Sequence, residues 1–170
     1  MKLLKLLVMS VAFTTTLMGA QGLMAADAMP DGLIKFAGHA DGTYKPCSLP
    51  LMSGQTVFNP YMEDAVCVND RMNYFQLDTA PSATFITLYS DSDKMKKTCQ
   101  EESGVKYGWK YTFKTIKHPT TTIWIKIDDL NQKQVGDVIS PGIVLVSKDE
   151  KTGDRNDELS CVKVVRSLLP

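Results

Sequence analysis

Apolar and polar positions along this chain alternate with a period of two far more often than they recur at helical spacing. "ATFITLY" (83–89) sets Phe85, Thr87 and Tyr89 on the side opposite Ile86. "KYTFKTI" (110–116) alternates Tyr111, Phe113 and Thr115 against Thr112, Lys114 and Ile116. "TTTIWIKI" (120–127) puts Ile123, Ile125 and Ile127 on one face and Trp124 on the other. "GIVLV" (142–146) and "LSCVKVV" (159–165) are short β-branched runs. Segments of this composition, bounded by Gly, Pro, Asn and Asp, predict strands, because branched and aromatic side chains pack well on a pleated surface. The one helical turn expected is "SDKMKKTCQEE" (92–102). Short strands at short intervals predict an all-β domain, a β-sandwich or a Greek-key arrangement of short antiparallel strands.

The first 26 residues stand apart from that pattern. Lys2 and Lys5 precede an apolar stretch from Leu6 to Phe13, and "MAADA" then supplies small residues. This is the layout of a secretory signal peptide. Thr14, Thr15 and Thr16 interrupt the apolar stretch well before the ~20 residues that a spanning helix needs. The expected organisation is therefore a signal peptide over residues 1–26 and a single all-β exported domain over residues 27–170, periplasmic or extracellular. That domain has the size to bury about two thirds of its chain surface.

Composition narrows the function. Without Lys2 and Lys5 the chain keeps 17 of its 19 basic residues against 19 acidic ones. A nucleic-acid binder would show a basic stripe, so no nucleic-acid partner is expected, and no membrane span. Cys47, Cys67, Cys99 and Cys161 all fall in the exported part. An even count in an exported chain predicts two disulfides. Of the three pairings, Cys47–Cys67 with Cys99–Cys161 is preferred, since the first closes a short local loop. No Cys-x-x-Cys spacing supports a metal centre.

Three stretches echo one another: about Leu33–Leu77, Thr84–Ile116 and Thr122–Val164, each ending in a strand. "NDRMNYFQL" (69–77) and "NDELSCVKV" (156–164) both open on Asn-Asp and run into a strand. "FITLYSDSD" and "NDELSCVKV" resemble pieces of a βγ-crystallin motif, in which an opening strand starts a Greek key and an acidic-amide loop leads into the last strand. Asn156, Asp157 and Ser160 match that loop, while Cys161 stands where the family has Ser; Asn69 and Asp70 match the partner loop, which departs at Asn73 and Tyr74. The resemblance implies a Greek-key fold and makes Asn156, Asp157 and Ser160 a candidate calcium site. Three oxygen donors fall short of the six to eight that calcium prefers. Asn and Asp also bond their own turn backbone, so no cofactor is expected and calcium is the alternative.

Catalysis has few candidates. A nucleophile needs an adjacent base, and the chain's two histidines, His39 in "AGHADG" and His118 before Pro119, read as surface residues. No catalytic residue is assigned. A rigid cross-linked β frame presenting loops suits recognition, so the expected function is a binding module, of the inhibitor or immunity type, for a protein partner. The alternatives are a small secreted effector or hydrolase and a calcium-stabilised structural domain. Contact residues are expected in "PLMSGQTVFNPYMED" (50–64), where Phe58, Tyr61 and Met62 could serve as anchors, with "KDEKTGDRNDE" (148–158) as a charged second loop.

Overall fold

A computed structural model describes residues 32–59, 66–68, 71–90, 107–150 and 159–166. Within them lie β1 (Leu33–Ala37), β2 (Cys47–Pro50), β3 (Gly54–Phe58), β4 (Tyr74–Asp78), β5 (Thr84–Ser90), β6 (Trp109–Thr115), β7 (Ile125–Lys126), β8 (Val138–Ser140), β9 (Ile143–Glu150) and β10 (Leu159–Arg166). A 3-10 helix, Ile127–Gln132, follows β7. The strands form two sheets, ordered β2-β1-β4-β7 and β3-β10-β5-β6-β9-β8. Every pairing is antiparallel.

The alternation seen in the sequence places the core between the sheets. Ile34, Phe36, Leu49, Phe75 and Leu77 from the smaller sheet meet Ile86, Leu88, Tyr111, Phe113, Leu145, Val162 and Val164 from the larger one. Phe75 of β4 stacks on Phe113 of β6 with ring centroids 4.9 Å apart, which ties the two layers together. Full burial of such side chains contributes roughly 1.5–3 kcal/mol each. The all-β sandwich expected from the periodicity is the fold observed.

β5 is covered on both faces. Ile86 and Leu88 point into the core, and on the other side Tyr89 packs with Cys161 and Tyr107 in a second, smaller cluster. The Lys110 ammonium lies 5.6 Å from the Tyr89 ring centroid and 5.8 Å from that of Tyr107, close enough for attraction to the ring faces. This is why "FITLY" is rich in large side chains on both sides of the strand.

Hydroxyl groups of β5 and β6 hold the connection that leads from β4 into β5. The Thr84 amide donates to Thr115 Oγ1 at 2.9 Å, and both threonine hydroxyls donate to the Pro81 carbonyl. Ala80 and Thr120 exchange backbone bonds of 2.8 Å. Gly142, with φ +92°, lets Thr120 approach: a Cβ there would stand 2.8 Å from Thr120 Oγ1.

Three expectations are corrected. "TTTIWIKI" is not one strand; only Ile125–Lys126 pairs, and Ile123 is 77% exposed. Threonine side chains take the ladder's place: Leu77 N–H donates to Thr122 Oγ1 at 3.0 Å and Thr79 N–H to Thr121 Oγ1 at 3.0 Å. The chain there is held beside β4 without strand geometry, so Ile123 faces water while Ile125 and Ile127 turn inward. "PLMSGQTVFNPYMED" is not all loop, since Gly54–Phe58 is the edge strand β3 paired with β10. Among the described residues the three echoing stretches do not hold equal sets of elements: the first holds four strands, the second two, and the third four strands with the 3-10 helix. The expected turn at 92–102 lies outside the described residues.

β9 contains one irregularity. Phe113 faces Leu145, but its neighbour Thr112 faces Ser147, so Val146 is an extra residue in the ladder. Beyond it Tyr111 faces Lys148 and Trp109 faces Glu150.

Candidate functional site

The cysteines form the scaffold of one end. Cys47, at the start of β2, is bonded to Cys67, with Cα atoms 5.2 Å apart and a sequence separation of 20. Both are buried, and the Met72 sulfur lies 3.8 Å from the Cys47 sulfur. Cys161 is also disulfide-bonded, on the outer face of β10. Cys99 lies outside the described residues, and no described cysteine is free.

The β1–β2 connection, residues 38–46, leads directly into that disulfide. Backbone bonds knit it: Gly38 N–H to Tyr44 O at 2.9 Å, His39 N–H to Thr43 O at 3.2 Å and Gly42 N–H to His39 O at 3.0 Å. Asp41 Oδ1 accepts the Thr43 amide at 2.9 Å and the Thr43 hydroxyl at 2.6 Å, the side-chain-capped turn that Asp favours. These two bonds, the hydroxyl's first, hold the exposed Asp41 carboxyl below its ordinary pKa. Tyr44 and Lys45 both take left-handed backbone, with φ of 62° and 52°, a conformation uncommon for side-chain-bearing residues.

Glycines decide which rings can settle here. The Tyr44 ring lies against Gly38, where a Cβ would come within 2.3 Å of Cδ1; Trp124 lies against Gly42, at 2.7 Å. The His39 imidazole stacks on the Tyr44 ring with centroids 5.2 Å apart. Tyr44 is 45% exposed, His39 is exposed and Trp124 half-buried. The loop therefore displays the His39 and Tyr44 rings, with Trp124 from the segment before β7 laid against its Gly42.

His39, Thr43 and Asp41 have the residue types of a nucleophile triad but not its wiring. In a triad the carboxylate orients the imidazole and the imidazole takes the hydroxyl proton. Here the hydroxyl proton goes to Asp41, and Thr43 Oγ1 lies 3.3 Å from His39 Nδ1. The arrangement stabilises a turn rather than activating an oxygen.

A second polar group sits on the inner face where the β6–β9 ladder ends. Tyr111 OH donates to Glu150 Oε1, and Lys148 Nζ stands 3.5 Å from the same oxygen. Lys148 also donates to the Asn131 carbonyl and, at 3.2 Å, to that of Lys133, just past the 3-10 helix. Beside them the Trp109 indole N–H is buried with no hydrogen-bond partner.

The expected site residues fall in different places. Phe58 ends β3 and packs against the main core, which accounts for its apolar character. Tyr61 and Met62 lie outside the described residues, as do Asn156, Asp157, Asn69 and Asp70. Ser160 is on β10 and buried. Among the described residues no group of three His, Cys, Asp or Glu side chains could hold a metal ion, and no helix is long and apolar enough to cross a membrane. Sequence reasoning did not single out Tyr44 or Trp124 as contact residues. The available signal was "GHADGTY", two glycines flanking a short polar turn before an aromatic, and a tryptophan set opposite the isoleucines of its own segment. The chain matches no family model, no curated protein and no solved structure.

Proposed function

We propose that this chain is a small exported binding module, of the inhibitor or immunity type, that engages a protein partner through the β1–β2 loop. The observation that carries the reading is the fixed presentation of Tyr44 and Trp124, seated on Gly38 and Gly42, with His39 stacked on Tyr44 and the Cys47–Cys67 disulfide behind the loop. Aromatic anchors gain affinity when their ordering cost is met before binding. Tyr and Trp dominate the energetics of protein interfaces. The disulfides are compatible with an oxidising compartment, as the leader-like first 26 residues would require. No calcium ion has a role in this reading.

The test is capture from periplasmic or culture extract of the source cells. The oxidised chain and a Tyr44→Ala, Trp124→Ala variant are immobilised side by side. We expect one stoichiometric protein on the unmodified chain and at least a tenfold weaker signal on the variant. Equal capture by both would remove the loop from the interface. Absence of any retained protein, with turnover of a cell-wall or peptide substrate instead, would replace binding by catalysis.

A further inference from the structure

Among the described residues four strands lie at sheet edges: β2 and β7 in the smaller sheet, β3 and β8 in the larger. An edge strand offers unpaired backbone N–H and C=O groups, and proteins blunt it with proline, charge, bulges or brevity. Three of the four edges are blunted in these ways. β2 ends in Pro50 and follows Pro46. β7 is two residues long. β8 has three residues, follows Asp137 and breaks register against β9. β3 carries none of these devices within its five residues, and Pro60 stands two positions beyond its end. Its sequence, Gly-Gln-Thr-Val-Phe, is uncharged, free of proline and in unbroken register with β10 over all five residues. Gln55 is exposed and Val57 is 38% exposed. Outside the β3–β10 ladder, no backbone bond to another described residue involves Gly54, Gln55, Thr56 or Val57.

We infer that β3 pairs with β3 of a second copy of this chain, joining two larger sheets about a two-fold axis. The strand is self-complementary in that register. An antiparallel pairing centred on Thr56 sets Thr56 against Thr56, Gln55 against Val57, and Phe58 against Gly54 of the other copy. Threonine pairs are favourable across strands, and an aromatic opposite an edge glycine shields that exposed backbone. No like charges meet. A two-fold contact of this kind is closed, so it yields a dimer and not a fibre. Five residues on each side make a small interface, below the ~1,000 Å² typical of stable complexes, so the dimer forms with rising concentration. This inference is independent of the β1–β2 loop reading.

The experiment is sedimentation equilibrium of the oxidised chain across a concentration series. Two variants on the exposed face keep the monomer intact, because Val57 sits opposite Lys163 on β10 and a carboxylate there gains a cross-strand partner. Gln55→Glu with Val57→Glu puts like charges opposite each other across the axis. Gln55→Lys with Val57→Glu puts opposite charges there. The unmodified chain should rise toward twice the monomer mass, the first variant should need at least tenfold more protein to do so, and the second should recover dimerisation. A unmodified chain that stays monomeric into the millimolar range overturns the inference. So does equal dimerisation of both variants, which would place the contact elsewhere.

Discussion

Removal of the Cys47–Cys67 bond should destabilise the domain by about 3 kcal/mol. The bond spans 20 residues of sequence, and the loop-closure relation gives roughly 11 cal/mol/K of entropy withheld from the unfolded chain, or about 3.3 kcal/mol at 25 °C. Both cysteines are buried, so Cys47→Ala with Cys67→Ala keeps the site apolar. For a domain of this size the loss corresponds to a fall in Tm of about 10 °C. Urea titration followed by tryptophan fluorescence separates the possible origins. If the cross-link acts on the unfolded chain, the midpoint falls and the slope m rises, because the freed chain exposes more surface on unfolding. The spectrum of the folded protein stays the same. A loss under about 1 kcal/mol with unchanged m would refute this reasoning. So would an altered native spectrum, which would assign the loss to damage in the folded state.

Thr122→Val leaves the buried Leu77 N–H without its acceptor and should cost about 1–3 kcal/mol in chemical denaturation; Thr122→Ser should restore most of it. Phe113→Ala removes one half of the ring stack between the sheets and should cost about 3–5 kcal/mol. Asp41 has a folded pKa below its unfolded one, so its contribution is present above the unfolded value and is lost as pH falls through the folded one. The β1–β2 loop should therefore loosen only in acid below about pH 4, and Thr43→Val should raise the Asp41 carbon titration measured by NMR. Melting in millimolar calcium and in chelator should differ little; a rise of many degrees, abolished by Asp157→Ala, would establish the crystallin-like calcium loop.

The central strands were legible because their alternation is enforced by burial on a defined face. Tyr111, Phe113 and Thr115 are all buried and Ile116 is exposed, as a two-residue period across β6 requires. Both the period and the cysteine spacing are local signals. Where long-range bonding competes with local propensity, the pattern misleads. Ile123 belongs to a β-branched run, yet Thr121 and Thr122 spend their hydroxyls on the backbone of Thr79 and Leu77, and the run enters the ladder only at Ile125–Lys126. β3 was hidden for the opposite reason: "SGQTVFNP" is punctuated like a loop, and it becomes a strand only because β10 lies alongside. The aromatic loop was harder still. That Tyr44 and Trp124 converge depends on the close approach of their rings to Gly38 and Gly42, which no spacing in the chain encodes.

The extra residue in β9 works as a change of phase. Counted straight through "IVLVSKDE" from Ile143, strict alternation would aim Ser147 and Asp149 into the sandwich and Lys148 and Glu150 at solvent. Val146 shifts the count by one, so one strand delivers Ile143 and Leu145 inward over its first half and the Lys148–Glu150 pair inward over its second. Such bulges are retained features of a fold more often than accidents. Excision of Val146, or of Ser147 with Val146 taking its place, would leave both halves of β9 facing as they do now, whereas an added residue within a regular half would turn part of it over. Positions 146 and 147 are thus where this strand can shorten by a residue and keep the facing of both halves.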